Sequence, residues 1–216
     1  MPHRINDIEI GLLLEAIYLK YHYDFREYAA TSIKRRLNQA CTFFECGSIS
    51  ALQDKVLHDS AVFTKLLSFL TVQVSEMFRD PHYFKAIRET VIPHLRTYPS
   101  LKIWVAGCSS GEELYSLAIL MHEEDLLART IFYATDINPD ALNKARKGIF
   151  SLDRIKNFTE NYQQACVKRS LSEYYNADSH AAQFDKALCK QVVFSDHSLV
   201  TDSVFAEMHL ISCRKV

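Results

Sequence analysis

Two stretches of the chain hold residues whose types and spacing could do chemistry. Gly107-Cys-Ser-Ser-Gly111-Glu112-Glu113 sets two glycines and two adjacent acids close together, and Asp136 closes the β-rich run Thr130–Thr135. Glycine has no Cβ, so a ligand can approach the backbone of such a turn. A carboxylate at a strand end can accept hydrogen bonds from both hydroxyls of a ribose. The turn is not GxGxxG. A pyrophosphate at this helix start would be repelled by two carboxylates, whereas a nucleoside bearing an amino-acid ammonium would be attracted. The pattern therefore disfavours a nicotinamide dinucleotide and favours S-adenosylmethionine, whose local charges are an α-ammonium and a sulfonium. Either glutamate alone could merely complement the helix dipole. It is the strand, glycine turn, acids and distal Asp136 together that point to a site.

The elements that would position these residues read as a doubly wound α/β sheet. Leu101–Ala106 is a buried strand, Glu112–His122 a helix with Leu114, Leu117, Ala118 and Met121 at helical spacing, and Thr130–Thr135 a second strand. Asn138-Pro139-Asp140 opens another helix. Right-handed crossovers make the two strands parallel and adjacent, with ligands bound beyond their carboxyl ends. Pro81 suits the first turn of a helix through His94, and strand character returns at Gln191–Phe194 and Glu207–Ser212. Between Gly148 and about Lys190 the polar, aromatic texture yields no clear elements and reads as an inserted subdomain. Upstream the chain is helical: Ile10, Leu13, Leu14, Ile17, Tyr18 and Tyr21 form one apolar face, Ser50 and Ser60 are expected N-caps, and a helix over 31–38 carries Lys34, Arg35 and Arg36. The expected division is a helical unit with linker over 1–80 and an α/β domain over 81–216 with an insertion at about 148–190.

A net charge of −1 argues against a general electrostatic hold on nucleic acid or a membrane surface. No apolar run approaches the roughly 20 residues of a membrane span, and the N-terminus lacks a signal-peptide core, so a cytoplasmic location without membrane insertion is expected. The six cysteines form no CxxC and the nine histidines no HxxxH or HExxH; reduced thiols and no metal are the expectation.

Four stretches then occur in a telling order: Thr71-Val-Gln-Val-Ser-Glu-Met-Phe-Arg-Asp80, Ala106-Gly-Cys-Ser-Ser-Gly-Glu-Glu-Leu-Tyr-Ser116, Tyr133-Ala-Thr-Asp-Ile-Asn138 and His209-Leu-Ile-Ser-Cys-Arg-Lys215. Together they resemble the CheR-type chemotaxis receptor methyltransferases, which carry Thr-X-Asn-X-Thr-X-Phe-Phe-Arg-Asp between a helical N-domain and the sheet. The resemblance implies a helical N-terminal domain followed by a Rossmann-like S-adenosylmethionine-dependent methyltransferase sheet with a small inserted subdomain. It implies methyl transfer to glutamate side chains on cytoplasmic helices of methyl-accepting chemotaxis receptors, leaving S-adenosylhomocysteine. Such a glutamate, with a pKa of about 4.3, is already ionised at neutral pH, so no general base is needed. By the same resemblance Arg79 is catalytic, near the cofactor's carboxylate and the substrate glutamate. Gln73 and Ser75 contact the cofactor, Glu112 meets its ammonium with Glu113 as the alternative, and Asp136 holds the ribose. Ser198 and Leu199 lie near the adenine, and Arg214 and Lys215 match a cofactor-contacting Arg-Asn pair. Lys34, Arg35 and Arg36 would face acidic receptor helices, or else form an ordinary solvated basic face.

The sequence also departs from that pattern. Gln73 and Ser75 replace Asn and Thr, Ser198 and Lys215 each replace Asn, and Lys215 brings a cation towards a sulfonium. The family continues past Arg-Asn into Val-X-Ile-Tyr-Phe and final strands, so a sheet ending at Val216 is expected to lack an active-site tyrosine and its last strands, and to self-associate through the open edge. These departures support an alternative, an impaired relative that binds cofactor or receptor without turnover. Arg79, Glu112 and Asp136 support the enzyme. The insertion has no glycine after Gly148, so the receptor-tether role of some members is not carried over.

Overall fold

The computed structural model describes residues 5–71, 75–165, 168–199 and 201–214. Two compact units emerge, one of residues 1–72 with 198–203 and one of 73–197 with 204–216.

The first unit contains helices α1 (Ile5–Tyr21), α2 (Ala30–Phe43), α3 (Ile49–His58) and α4 (Ser60–Leu70). Leu13, Leu14 and Ile17 of α1 are buried with Ile33 and Leu37 of α2, Leu52 and Val56 of α3, and Leu66 and Leu67 of α4. Tyr21 stacks on Phe63 and donates to the Val56 carbonyl at 2.6 Å. The caps differ from the expected Ser50 and Ser60. Ser48 accepts from the Ala51 N–H and Asp59 from the Ala61 N–H. Ile49 is buried and must enter the helix, so the cap falls one residue before it, while Ser50 spends its hydroxyl on Glu9 at 2.6 Å.

The second unit is built on a four-stranded sheet of order β6-β2-β1-β7, made of β1 (Leu101–Ala106), β2 (Thr130–Asp136), β6 (Val192–Asp196) and β7 (Leu210–Cys213). Every pairing is parallel, and Ala106 faces Thr135 on one side and Cys213 on the other, so the carboxyl ends share one edge. Strand order runs outward from β1 through β2 to β6, then reverses to β7, which sets the topological switch at β1/β7. β1 is buried along nearly its whole length, as a central parallel strand must be. Helix α7 (Glu112–Glu123) is apolar almost all round because it lies between the sheet and the insertion; Leu114, Leu117, Ala118, Ile119 and Met121 have no exposure.

Pro81–Ala86 (α5) and Ile92–Leu95 (α6) are joined by a π-helical stretch, Ile87–Val91, that nothing in the sequence announces. Asn138 caps α8 (Pro139–Lys147), accepting from the Asp140 and Ala141 N–H groups with Pro139 in the first turn. Gly148 ends it at φ +62°, where a Cβ would stand 2.2 Å from the Tyr115 hydroxyl. The insertion then unfolds into β3 (Ile149–Ser151), α9 (Leu152–Gln164), β4 (Tyr175–Ala177) and β5 (Ala181–Phe184), its three strands forming an antiparallel sheet of order β3-β5-β4. Its Phe150, Phe158 and Phe184 belong to the same core as Tyr115 and Leu117 of α7. Among the described residues no helix is long and apolar enough to cross a membrane.

Candidate active site

The turn after β1 holds its shape through left-handed residues: Gly107, Ser109 and Gly111 have φ of 68°, 49° and 98°. The Cys108 N–H donates to the Thr135 carbonyl at 2.8 Å, stitching the turn to β2. A Cβ on Gly111 would meet the Ala145 backbone at 3.0 Å, so this glycine lets α8 pack against the turn. Asp136 is nearly buried. One of its oxygens accepts from the Ser109 N–H at 2.8 Å and the other from the Asn138 N–H at 2.9 Å. The Ile137 N–H is a third backbone donor to it, and since a carboxylate has about four lone-pair sites, some acceptor capacity is left. Burial pushes its pKa up, Asp196 at the adjoining strand end adds to this, and the backbone donors only partly offset it. Ser109 Oγ is buried with no hydrogen-bond partner in the described structure, an unused polar group beside Asp136.

The two acids opening α7 have different neighbours. Glu112 has no solvent exposure; Arg154 Nη1 of α9 lies 2.7 Å from its Oε1, and the Ser110 hydroxyl lies 2.8 and 2.9 Å from its two oxygens. Arg154 Nη2 also donates to the Ser75 carbonyl. Glu113 instead accepts from the Ser212 hydroxyl and lies 3.5 Å from Arg214. Since Ser212 gives its proton to Glu113, Tyr83 must donate to Ser212 across their 2.7 Å contact.

The segment 75–80 is fastened to the same helix. The Phe78 N–H donates to Ser116 Oγ at 2.8 Å, and Ser116 donates to the Glu112 carbonyl at 2.7 Å. Phe78 and Asp80 have φ of 51° and 59°, so Arg79 sits between two left-handed residues. Arg214 holds this bend from β7: its guanidinium bonds the Arg79 carbonyl at 3.2 Å, pairs with Asp80 at 2.6 Å and lies 4.0 Å from the Tyr83 ring centroid.

A glycine turn flanked by one buried acid that still has acceptor capacity and by a second beside a guanidinium suits a nucleoside ending in an amino-acid zwitterion. The orphaned Ser109 hydroxyl is a further polar group for such a ligand. Comparison with known families agrees. Residues 8–71 match the all-alpha domain of the CheR methyltransferases, and residues 73–216 match their S-adenosylmethionine-binding domain. The chain belongs to the CheR methyltransferase family. It is 56% identical over 213 residues to a Pseudomonas putida protein named "Putative methyltransferase Cher3", covering 99% of this chain and 78% of that protein. A "Chemotaxis protein methyltransferase" of Listeria monocytogenes is 26% identical over 89% of this chain and 71% of its own length. One of Salmonella typhimurium is 28% identical over 73% of this chain and 54% of its own length.

In this CheR-family sheet unit, Ser75, Arg79, Glu112, Asp136 and Arg214 are brought together around the switch point. Arg214, expected to contact cofactor, holds the Arg79–Asp80 bend and lies 3.5 Å from Glu113. Gln73 and Lys215 lie outside the described residues. Ser198 and Leu199 belong to the loop that groups with the helical unit; there Ser198 N–H donates to Asp202 at 2.8 Å and Ser198 Oγ accepts from the Thr201 N–H at 3.2 Å. In α2, successive residues point about 100° apart, so the three consecutive cations fan out around the helix. Lys34 pairs with Asp7 at 2.8 Å, Arg36 donates to the Leu70 carbonyl, and Arg35 is exposed.

Sequence reasoning missed Arg154, Ser110, Ser212 and Tyr83. For Arg154 a signal did exist. Ile155, Phe158 and Tyr162 are spaced as one buried helix face, and Arg154 lies in the first turn of the same helix.

Proposed function

We propose that this CheR-family chain methylates glutamate side chains on methyl-accepting chemotaxis receptors, using S-adenosylmethionine. The observation that carries this reading is the convergence of Asp136, Glu112 and the Arg79–Asp80 bend on one strand edge, at the switch between β1 and β7. The names of relatives as chemotaxis protein methyltransferases support the substrate class. When bound, S-adenosylmethionine supplies an electrophilic methyl group on a sulfonium. The rest is positioning, worth as much as about 7–11 kcal/mol in favourable cases. Asp136 accepts from the ribose hydroxyls with the lone pairs its backbone donors leave, and Glu112 receives the ammonium. Arg79 faces the incoming glutamate, to which a guanidinium is well matched. Arg214 orients that arginine by fixing its carbonyl and its neighbour Asp80. Gln73, Ser75 and Lys215 complete the cofactor contacts. The helical residues up to about 80 serve as the docking domain for cytoplasmic receptor helices, with Arg35 as its outward cation.

Calorimetric titration with S-adenosylhomocysteine, followed by transfer of labelled methyl to receptor cytoplasmic fragments, tests this. Micromolar binding that Asp136→Ala weakens by roughly a hundredfold, with label on receptor glutamates, is the expected result. Binding without transfer would replace the enzyme with a cofactor-binding module. No binding by folded protein would remove both.

A further inference from the structure

The Glu112–Arg154 pair carries a further step, which rests on the cofactor reading above. Glu112 has no exposed surface, whereas Arg154 is 33% exposed. An ammonium can reach a carboxylate that shows no surface only if a group around it gives way. Ser110 is a short side chain fixed by its own turn. Arg154 has a long stem and one face open to solvent, so it is the partner able to yield. Its other holds, the Ser75 carbonyl and the Phe158 ring at 4.9 Å, would keep it beside the pocket as it does so. Arg214 is not available for this task, since Asp80, Glu113 and the Arg79 carbonyl already occupy it. Among the described residues Arg154 has one acid partner, and that is the acid the ligand claims.

We propose that Arg154 is a recognition residue for the amino-acid end of the cofactor: it neutralises Glu112 until the α-ammonium arrives, then takes the α-carboxylate. One protein ion pair is thereby exchanged for two across the ligand. The buried Glu112 is thus paired both before and after binding, which matters because an unpaired buried carboxylate is strongly unfavourable. Guanidinium and carboxylate can also meet through two parallel hydrogen bonds. The inserted segment, through α9, becomes part of the cofactor pocket.

The test compares S-adenosylhomocysteine with its decarboxylated analogue, which keeps the amine and lacks the α-carboxylate. Both are titrated by calorimetry into the wild-type chain and into Arg154→Met, Arg154→Lys and Arg79→Met. The wild type should prefer the carboxylate-bearing ligand by roughly tenfold or more. Arg154→Met should lose most of that preference, and Arg154→Lys should keep a part of it. A role confined to packing would weaken both ligands by the same factor and leave the preference intact, which would overturn the proposal. So would a preference lost only in Arg79→Met. If Arg154→Met does not fold, Arg154→Lys decides: an unchanged preference there counts against the proposal. Failure of the wild type to bind either ligand would instead defeat the cofactor reading itself.

Discussion

Helix α7 carries a pair of adjacent glutamates at each end, and the two pairs are treated in opposite ways. At its C-terminus Glu123 and Glu124 are buried where the helix dipole disfavours negative charge. They are met by a dense set of donors: Arg88 to both, Arg96 and Lys168 to Glu124, and the Tyr162 and Tyr174 hydroxyls to Glu123. At the N-terminus the dipole favours Glu112 and Glu113, and among the described residues each has a single arginine partner with one hydroxyl donor. One end is saturated and ties together the π-helical stretch, α7, α9 and the turn before β4. The other retains acceptor capacity next to a glycine turn. Identical residue pairs thus become a structural lock and, as proposed, a ligand site, according to how completely the fold neutralises them.

The contrast can be broken at the saturated end first. Arg88→Ala takes the arginine from buried Glu123 and one of the cations from Glu124, and should cost about 3–5 kcal/mol, lowering the melting temperature on the order of 10 °C. Thermal unfolding followed by circular dichroism checks this; a fall of a degree or two would mean the lock is dispensable. Glu112→Gln should act the other way round. It should weaken S-adenosylhomocysteine by roughly tenfold or more, with a smaller loss of melting temperature than Arg88→Ala. If the two variants lose stability equally and ligand affinity is spared, the N-terminal pair is structural as well. Arg79→Ala should reduce methyl transfer more than cofactor affinity or folding, as labelled-transfer assays beside calorimetry would reveal.

The smallest expected effect is in the pH dependence. Burial works to raise the pKa of Glu124, but Lys168, Arg88 and Arg96 outweigh it and hold it below its usual 4.5. Its contribution to stability is therefore present above pH 4.5 and lost as pH falls through the lowered value. Asp136 has the opposite sign. Its pKa is raised above 3.8, so its ionisation opposes folding increasingly as pH rises through the window above 3.8. Urea unfolding between pH 3 and 6 should show a Glu124→Gln variant less sensitive to acid than the wild type. An unchanged slope would refute the assignment.

How much of this was legible depended on the length and purity of each signal. Leu101–Ala106 and Thr130–Asp136 are strands dominated by β-branched, aromatic and apolar residues and ended by glycine or acid, and both stand where the sequence indicates, parallel and adjacent. The insertion was opaque because β3, β4 and β5 are three or four residues long, too short for alternation to register. In α9 the apolar face is diluted by Asn157, Thr159, Glu160 and Asn161. At the site, Asp136 and Glu112 could be read from their places at a strand end and a helix start. The pairings of Arg154 and Ser212 could not, because their partners lie 42 and 99 residues away in sequence. Ser48 and Asp59 were passed over because a serine stands near each of them.

The core shared by Phe150, Phe158 and Phe184 with Tyr115 has a consequence for descent. An insertion that contributes aromatic rings to its host's interior, and abuts the host helix so closely that Gly148 has no room for a methyl group, is not an exchangeable cassette. It and α7 must diverge in step, each limiting the substitutions the other can accept.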